Sequence, residues 1–207
     1  MEVTLSSVSK SFGREVVFRD LSHTFERGSR TAILGANGSG KSTLLQLVAG
    51  ALMPTSGTVD HALNGSPMAA ELVYRHVSIA APYMNLYEDL TLRETIEVHE
   101  RFKPLRRALT PRDLAAIVYL DGAWDKPVRN FSSGMKQRLK LALAILSDTS
   151  LLLLDEPASN LDAQAVTWMQ QLLADHLDRR TVLVASNRQA VEVVLCEQTL
   201  EIGPARN

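Results

Sequence analysis

Residues 35–42 read Gly-Ala-Asn-Gly-Ser-Gly-Lys-Ser, and no other stretch restricts the fold as strongly. The apolar run 30–34 precedes them, and residues 41–49 have helical spacing. Strand, glycine loop and helix in that order open a βα unit. Glycines let consecutive backbone N–H groups turn toward one anion. The helix N-terminus adds a partial positive charge of about half an electron. The segment fits G-x-x-x-x-G-K-[ST] at every fixed position. Gly35, Ala36, Asn37, Gly38, Ser39, Gly40, Lys41, Ser42 and Thr43 are therefore expected to hold the phosphates of a nucleoside triphosphate. Lys41 supplies charge to the β- and γ-phosphates, and the Ser42 hydroxyl is a ligand for Mg²⁺.

A second strand, 151–154, is four leucines and ends in Asp155 and Glu156. In an open parallel sheet such a tip lies at the ligand face. Asp155 is the expected Mg²⁺ ligand beside Ser42. Glu156 is the expected general base that positions the attacking water. Elsewhere, 3–8, 16–25 and 181–185 read as strands, and 92–102, 133–146 and the amphipathic run 165–177 read as helices. Thr110 with Pro111 marks a helix start. Strands alternating with helices predict an α/β fold.

At 207 residues the chain is expected to be one domain. Its 22 basic and 23 acidic residues leave a net charge of −1, which argues against a nucleic-acid coat or a polybasic membrane binder. No apolar run approaches the ~18 residues needed to cross a bilayer, and no signal peptide is expected at the N-terminus. The basic residues Arg101, Lys103, Arg106, Arg107 and Arg112 read as a solvated helical face in preference to a membrane contact. The lone Cys196 reads as a buried small apolar side chain.

The segment Phe131-Ser-Ser-Gly-Met-Lys-Gln-Arg138 precedes the acidic strand. With it, the chain resembles the nucleotide-binding subunit of ATP-binding cassette (ABC) transporters from about residue 3 to 187. Ser132, Ser133 and Gly134 fall on the SGG of that family's LSGGQ signature. Ser159-Asn-Leu-Asp162 resembles its D-loop, and Phe12 its adenine-stacking aromatic. The resemblance implies a phosphate-loop NTPase core with a mixed or parallel sheet and an N-terminal antiparallel β subdomain. It implies one domain over 1–207, with a helical subdomain at about 91–146. ATP and Mg²⁺ are the implied cofactors. The implied assembly is a head-to-tail homodimer, or related heterodimer, in which one subunit's phosphate loop meets the other's Ser132, Ser133, Gly134 and Asp162. The implied partner is an integral membrane permease, which would hold the chain at the cytoplasmic face of the membrane.

Two positions depart from the family pattern. Asn187 stands where a switch histidine is usual, and its amide can hydrogen-bond a γ-phosphate without carrying a proton charge. Pro82, or else Ala81, stands where a metal-sensing Gln is usual, with Asn85 nearby. Firm ATP–Mg²⁺ binding with slow hydrolysis, or hydrolysis coupled differently, is therefore expected, with Asn187, Lys41 and Glu156 as the catalytic set. The alternative is an ABC-type ATPase acting on nucleic acid or ribosomes. Translation factors of that type carry two cassettes, and chromosome relatives carry long coiled coils, but this chain has one cassette and no sustained heptads. A GTPase or small kinase is a third reading, and the sequence lacks the guanine-reading Asn-Lys-x-Asp motif.

Overall fold

Apolar runs buried on both faces become the strands of a central parallel sheet. The computed structural model describes residues 1–203. In chain order the elements are β1 (Glu2–Phe12), β2 (Glu15–Phe25), β3 (Arg30–Leu34), α1 (Lys41–Val48), β4 (Ser56–Leu63), β5 (Ser66–Met68), β6 (Val77–Ala80), α2 (Leu92–Phe102), α3 (Pro111–Ile117), α4 (Ser133–Ile145), β7 (Leu151–Asp155), α5 (Ala163–Asp175), β8 (Thr181–Ser186), α6 (Ala190–Val193) and β9 (Gln198–Glu201).

Five strands form the parallel sheet, in the order β6-β7-β8-β3-β9. Successive side chains of β7 alternate between its faces. Leu151 and Leu153 pack in a core with α1 and the N-terminal strands, and Leu152 and Leu154 in a core with α4 and α5. All four are fully buried. Each contributes about 1.5–3 kcal/mol by leaving water. The N-terminal strands make a separate antiparallel sheet, β2-β1-β4-β5. In its β4–β5 hairpin Asn64 and Gly65, both at positive φ, make the turn.

Between β6 and β7 the chain is helical. Capping boxes start two of these helices, Thr91 with Glu94 and Thr110 with Asp113. Two of the basic residues, Lys103 and Arg106, depart from the expected solvated face. Arg106 is buried, paired with Asp178 at 2.7 Å, and donates to the His176 carbonyl. Lys103 donates to the Tyr74 and Val77 carbonyls, each at 2.6 Å. The Arg112 guanidinium lies 3.8 Å from the centre of the Trp124 ring. Arg101, Arg107 and Arg112 are exposed, as expected, Arg107 pairing with Asp178 at 2.7 Å. Cys196 is half-buried, and burial pushes its thiol up to about 11.

Candidate functional site

The parallel register puts the tips of three strands side by side. Asp155 of β7 lies opposite Ala185 of β8, and Ser186 of β8 lies opposite Leu34 of β3. Neighbouring strands are about 4.8 Å apart. The glycine loop after β3, the acids at the end of β7 and the Asn187 turn after β8 therefore leave one edge of the sheet together.

The loop's shape depends on glycine at two places. Gly40 precedes α1 with φ 98°, and a Cβ there would lie 2.4 Å from Val17 Cγ1. At Gly35 a Cβ would lie 2.4 Å from Ser39 Oγ and 2.5 Å from the Ile202 carbonyl oxygen. Lys41 is only 5% exposed. Its ammonium donates to the carbonyls of Gly35 at 2.9 Å and Ala36 at 3.0 Å, so the loop curls round its own cation.

A cavity of about 290 Å³ opens over this loop. Phe12, Asn37, Gly38, Gly40, Lys41, Ser42, Thr43 and Glu156 line it, together with Glu15 and Val17. The exposed Phe12 ring offers an apolar face, with the Lys10 ammonium 4.9 Å from its centre. Glu156 is held at φ 44°, a region non-glycine residues seldom occupy, and its N–H donates to the Ala185 carbonyl at 2.9 Å.

Asp155 lies beside Ser42 and is 2% exposed. Burial pushes its carboxyl above the usual range; the Ser42 hydroxyl and the Lys41 charge oppose that, while Glu156 adds to it. Its Oδ2 is buried without a hydrogen-bond partner. A buried carboxylate oxygen with no partner, next to a serine hydroxyl, is the hard-oxygen donor set that suits Mg²⁺.

The remaining expected residues lie apart. Ser132 caps α4 by accepting the Met135 N–H at 3.2 Å, and Asp162 caps α5 by accepting the Ala165 N–H at 2.8 Å. Ser132, Gly134 and Asp162 line a second hollow, of about 410 Å³, with Tyr119 and Arg138. It shares no lining residue with the first. Ser133 is exposed at the start of α4, and Asn187 is half-buried just past β8. Asn85 lines a third hollow with His99 and Lys103.

Two residues at the site carry no sequence signal of their own. Tyr83, next to Pro82, hydrogen-bonds Gln46 of α1 and feels the Asp155 charge, although burial is what mainly raises its phenol. Gln46 lies one helical turn past Ser42, on the same face of α1. Glu192, a single acid between valines, is 3% exposed. Only a three-dimensional contact distinguishes it from a surface glutamate.

A glycine cradle on β3 and a buried acid on β7 define the class, a phosphate-loop nucleoside triphosphatase. The sequence profile described as "ABC transporter" matches residues 18–159. The Nod factor export ATP-binding protein I of Sinorhizobium fredii is 33% identical over 213 residues, covering 99% of this chain. The chain spans 61% of that relative's length. The protein of the same name from Burkholderia lata is 32% identical, covering 99% of this chain and 68% of its own. A solved ATP-binding subunit of an ABC transporter superposes with TM-score 0.83 at 25% identity, over 98% of this chain and 86% of that one. A dimeric bacterial ABC transporter cassette gives TM-score 0.82 at 23% identity, over 97% and 94%, and so speaks to the fold alone. The chain belongs to the ABC transporter family.

Proposed function

We propose that this chain is the ATP-driven motor of an exporter and that it works as a head-to-tail pair beneath an integral membrane permease. One observation carries the reading: the phosphate cradle and the serine-capped tip of α4 line separate hollows of the same chain. Each copy thus presents two halves of a nucleotide enclosure on different parts of its surface. Two copies facing each other bring each cradle against the partner's tip, where the N-terminus of α4 meets the γ-phosphate. The relatives named above are export proteins by name. Among the described residues no helix is long and apolar enough to cross a membrane. In this reading the permease is a separate polypeptide, and the chain sits against the inner face of the membrane through it. Exposed Met84 and Tyr87 beside the Asn85 hollow offer that partner an apolar surface.

In the proposed cycle Phe12 stacks on the base. The loop N–H groups and Lys41 hold the phosphates, the Lys41 ammonium exchanging its loop carbonyls for phosphate oxygens. Ser42 and Asp155 would hold Mg²⁺, which when bound neutralises charge on the β- and γ-phosphates. Glu156 orients a water in line with the γ-phosphorus and accepts its proton as the bond to the β-γ bridging oxygen breaks, a role typically contributing ~10²–10⁴-fold. Asn187 donates its amide to the γ-phosphate but cannot carry the positive charge of a protonated histidine, so turnover is slow.

Replacing Glu156 with Gln tests the pairing. It keeps the shape of the side chain and removes the base, so it is expected to hold an ATP-bound dimer through size-exclusion chromatography. A variant that stays monomeric at saturating ATP refutes the head-to-tail reading. Co-purification with a multi-span membrane protein from native cells tests the permease.

A further inference from the structure

The turn after Glu156 and the turn carrying Asn187 are joined by one buried carboxylate. Glu192, on the short α6, accepts the Ala158 N–H on Oε1 at 3.0 Å and the Ser186 hydroxyl on Oε2. The Ser186 oxygen in turn accepts the Gln189 N–H at 3.1 Å. That bond closes the turn holding Asn187 and Arg188, whose φ is 76°. On the other side, Gln137 of α4 donates to the Pro157 carbonyl at 3.1 Å. The Pro157–Ala158 peptides are thus gripped from the signature helix and from α6, one residue beyond Glu156. From Ala158 the chain runs directly to Asp162.

A buried acid is costly unless its oxygens are matched, and here both are. Hydrophobic positions of α6 have no need of such a residue, so its placement calls for another reason. Burial raises the Glu192 carboxyl, its two hydrogen bonds oppose that, and the charges of Glu156 and Asp155 reach it.

We propose that Glu192 is a positioning residue for hydrolysis: by clamping the Ala158 turn to the Ser186–Gln189 turn, it fixes Glu156 and Asn187 in one geometry around the γ-phosphate. This rests on the ATPase reading above. Glu192 does not touch the nucleotide, because it acts through backbone N–H and hydroxyl groups that hold residues which do.

The test compares Glu192→Ala, Glu192→Gln and Ser186→Ala. Single-turnover ATP hydrolysis and binding of a fluorescent ATP analogue are measured, with melting temperature recorded alongside. Glu192→Ala is expected to slow the chemical step at least tenfold while nucleotide Kd stays within twofold. Glu192→Gln keeps an acceptor for Ala158 and a donor to Ser186, and is expected to recover most of that rate. Ser186→Ala is expected to lose part of it, with no further loss in combination with Glu192→Ala. A rate within twofold of the parent in Glu192→Ala, or a Kd that worsens in step with the rate, overturns the proposal. So do Gln and Ala variants that fall equally. If Glu192→Ala fails to fold, Ser186→Ala decides, since a full parental rate there is equally fatal. Hydrogen exchange at the Ala158 amide is a readout independent of turnover. It is expected to quicken at least tenfold in Glu192→Ala while the β7 amides stay protected, and unchanged exchange overturns the clamp. A parent protein that binds ATP without hydrolysing it would instead refute the ATPase reading and leave the exchange result to decide the clamp.

Discussion

Replacing Asp155 with Asn is expected to stabilise the protein in metal-free buffer and to remove its response to Mg–ATP. The reasoning starts from the orphaned Oδ2 at the tip of β7. Burial raises the Asp155 pKa above its unfolded value. Between those two values the folded state binds more protons, so stability falls as pH rises through the folded pKa. At pH 7 the ionised carboxylate opposes folding. Asn keeps an oxygen for the Ser42 hydroxyl and sheds the charge. An unsatisfied buried group costs about 1–3 kcal/mol, and more when charged; the Asn amide nitrogen is also unpaired there, so the gain is the part due to charge. For a chain of this size each kcal/mol moves Tm by roughly 2–4 °C. The Lys41 charge beside Asp155 subtracts from the gain, but burial is the larger influence. A rise of several degrees in EDTA is therefore expected. The parent should gain about 2.7 kcal/mol from Mg–ATP at a hundred times its Kd, whereas the variant should gain little. Differential scanning calorimetry with EDTA, and then with Mg–ATP, measures both. A variant that melts below the parent in EDTA, or that keeps the full nucleotide response, refutes the argument.

Other substitutions probe the same site and its support. Lys41→Ala removes one or two charge-assisted hydrogen bonds worth about 1.5–3 kcal/mol each, so nucleotide Kd in a fluorescence titration should weaken by at least about tenfold. Asn187→His should raise kcat in a phosphate-release assay; unchanged turnover would show that Asn187 is not what slows the enzyme. His99 is held at about 4, by burial first and the Lys103 charge second, and its Nε2 meets Ser147 Oγ at 2.8 Å. The unfolded chain binds that proton near 6.5, so stability is lost as pH falls from about 6.5 to about 4, by at most about 1.4 kcal/mol per pH unit. Urea unfolding at pH 7 and pH 5 should show the loss, and His99→Gln should flatten it.

What the sequence made legible was local. Gly35, Gly40 and Lys41 announce an anion cradle because each residue type answers a backbone or charge requirement within eight positions. Asp155 and Glu156 stand out because a four-leucine strand ends on them. Thr110 and Ser132 announce helix starts for the same kind of reason. Contacts between distant segments left no such trace. Lys103 reaches carbonyls 26 and 29 residues away, which turns an apparent surface charge into an internal tie. Glu192 meets Ala158 across 34 residues. Asn85 and Tyr83 are two positions apart, yet the fold sends Asn85 to another hollow and Tyr83 toward Gln46 and Asp155.

The contact between Gly40 and Val17 has a consequence for engineering. In the proposed cycle base and phosphates are gripped by different sheets, Phe12 on one and the loop on the other, and these sheets meet with no spare room where Val17 faces Gly40. Transplanting the N-terminal sheet from a distant cassette therefore requires a side chain no bulkier than valine at position 17. Otherwise the graft displaces the turn into α1, and a chimera built to change base preference would forfeit its triphosphate as well.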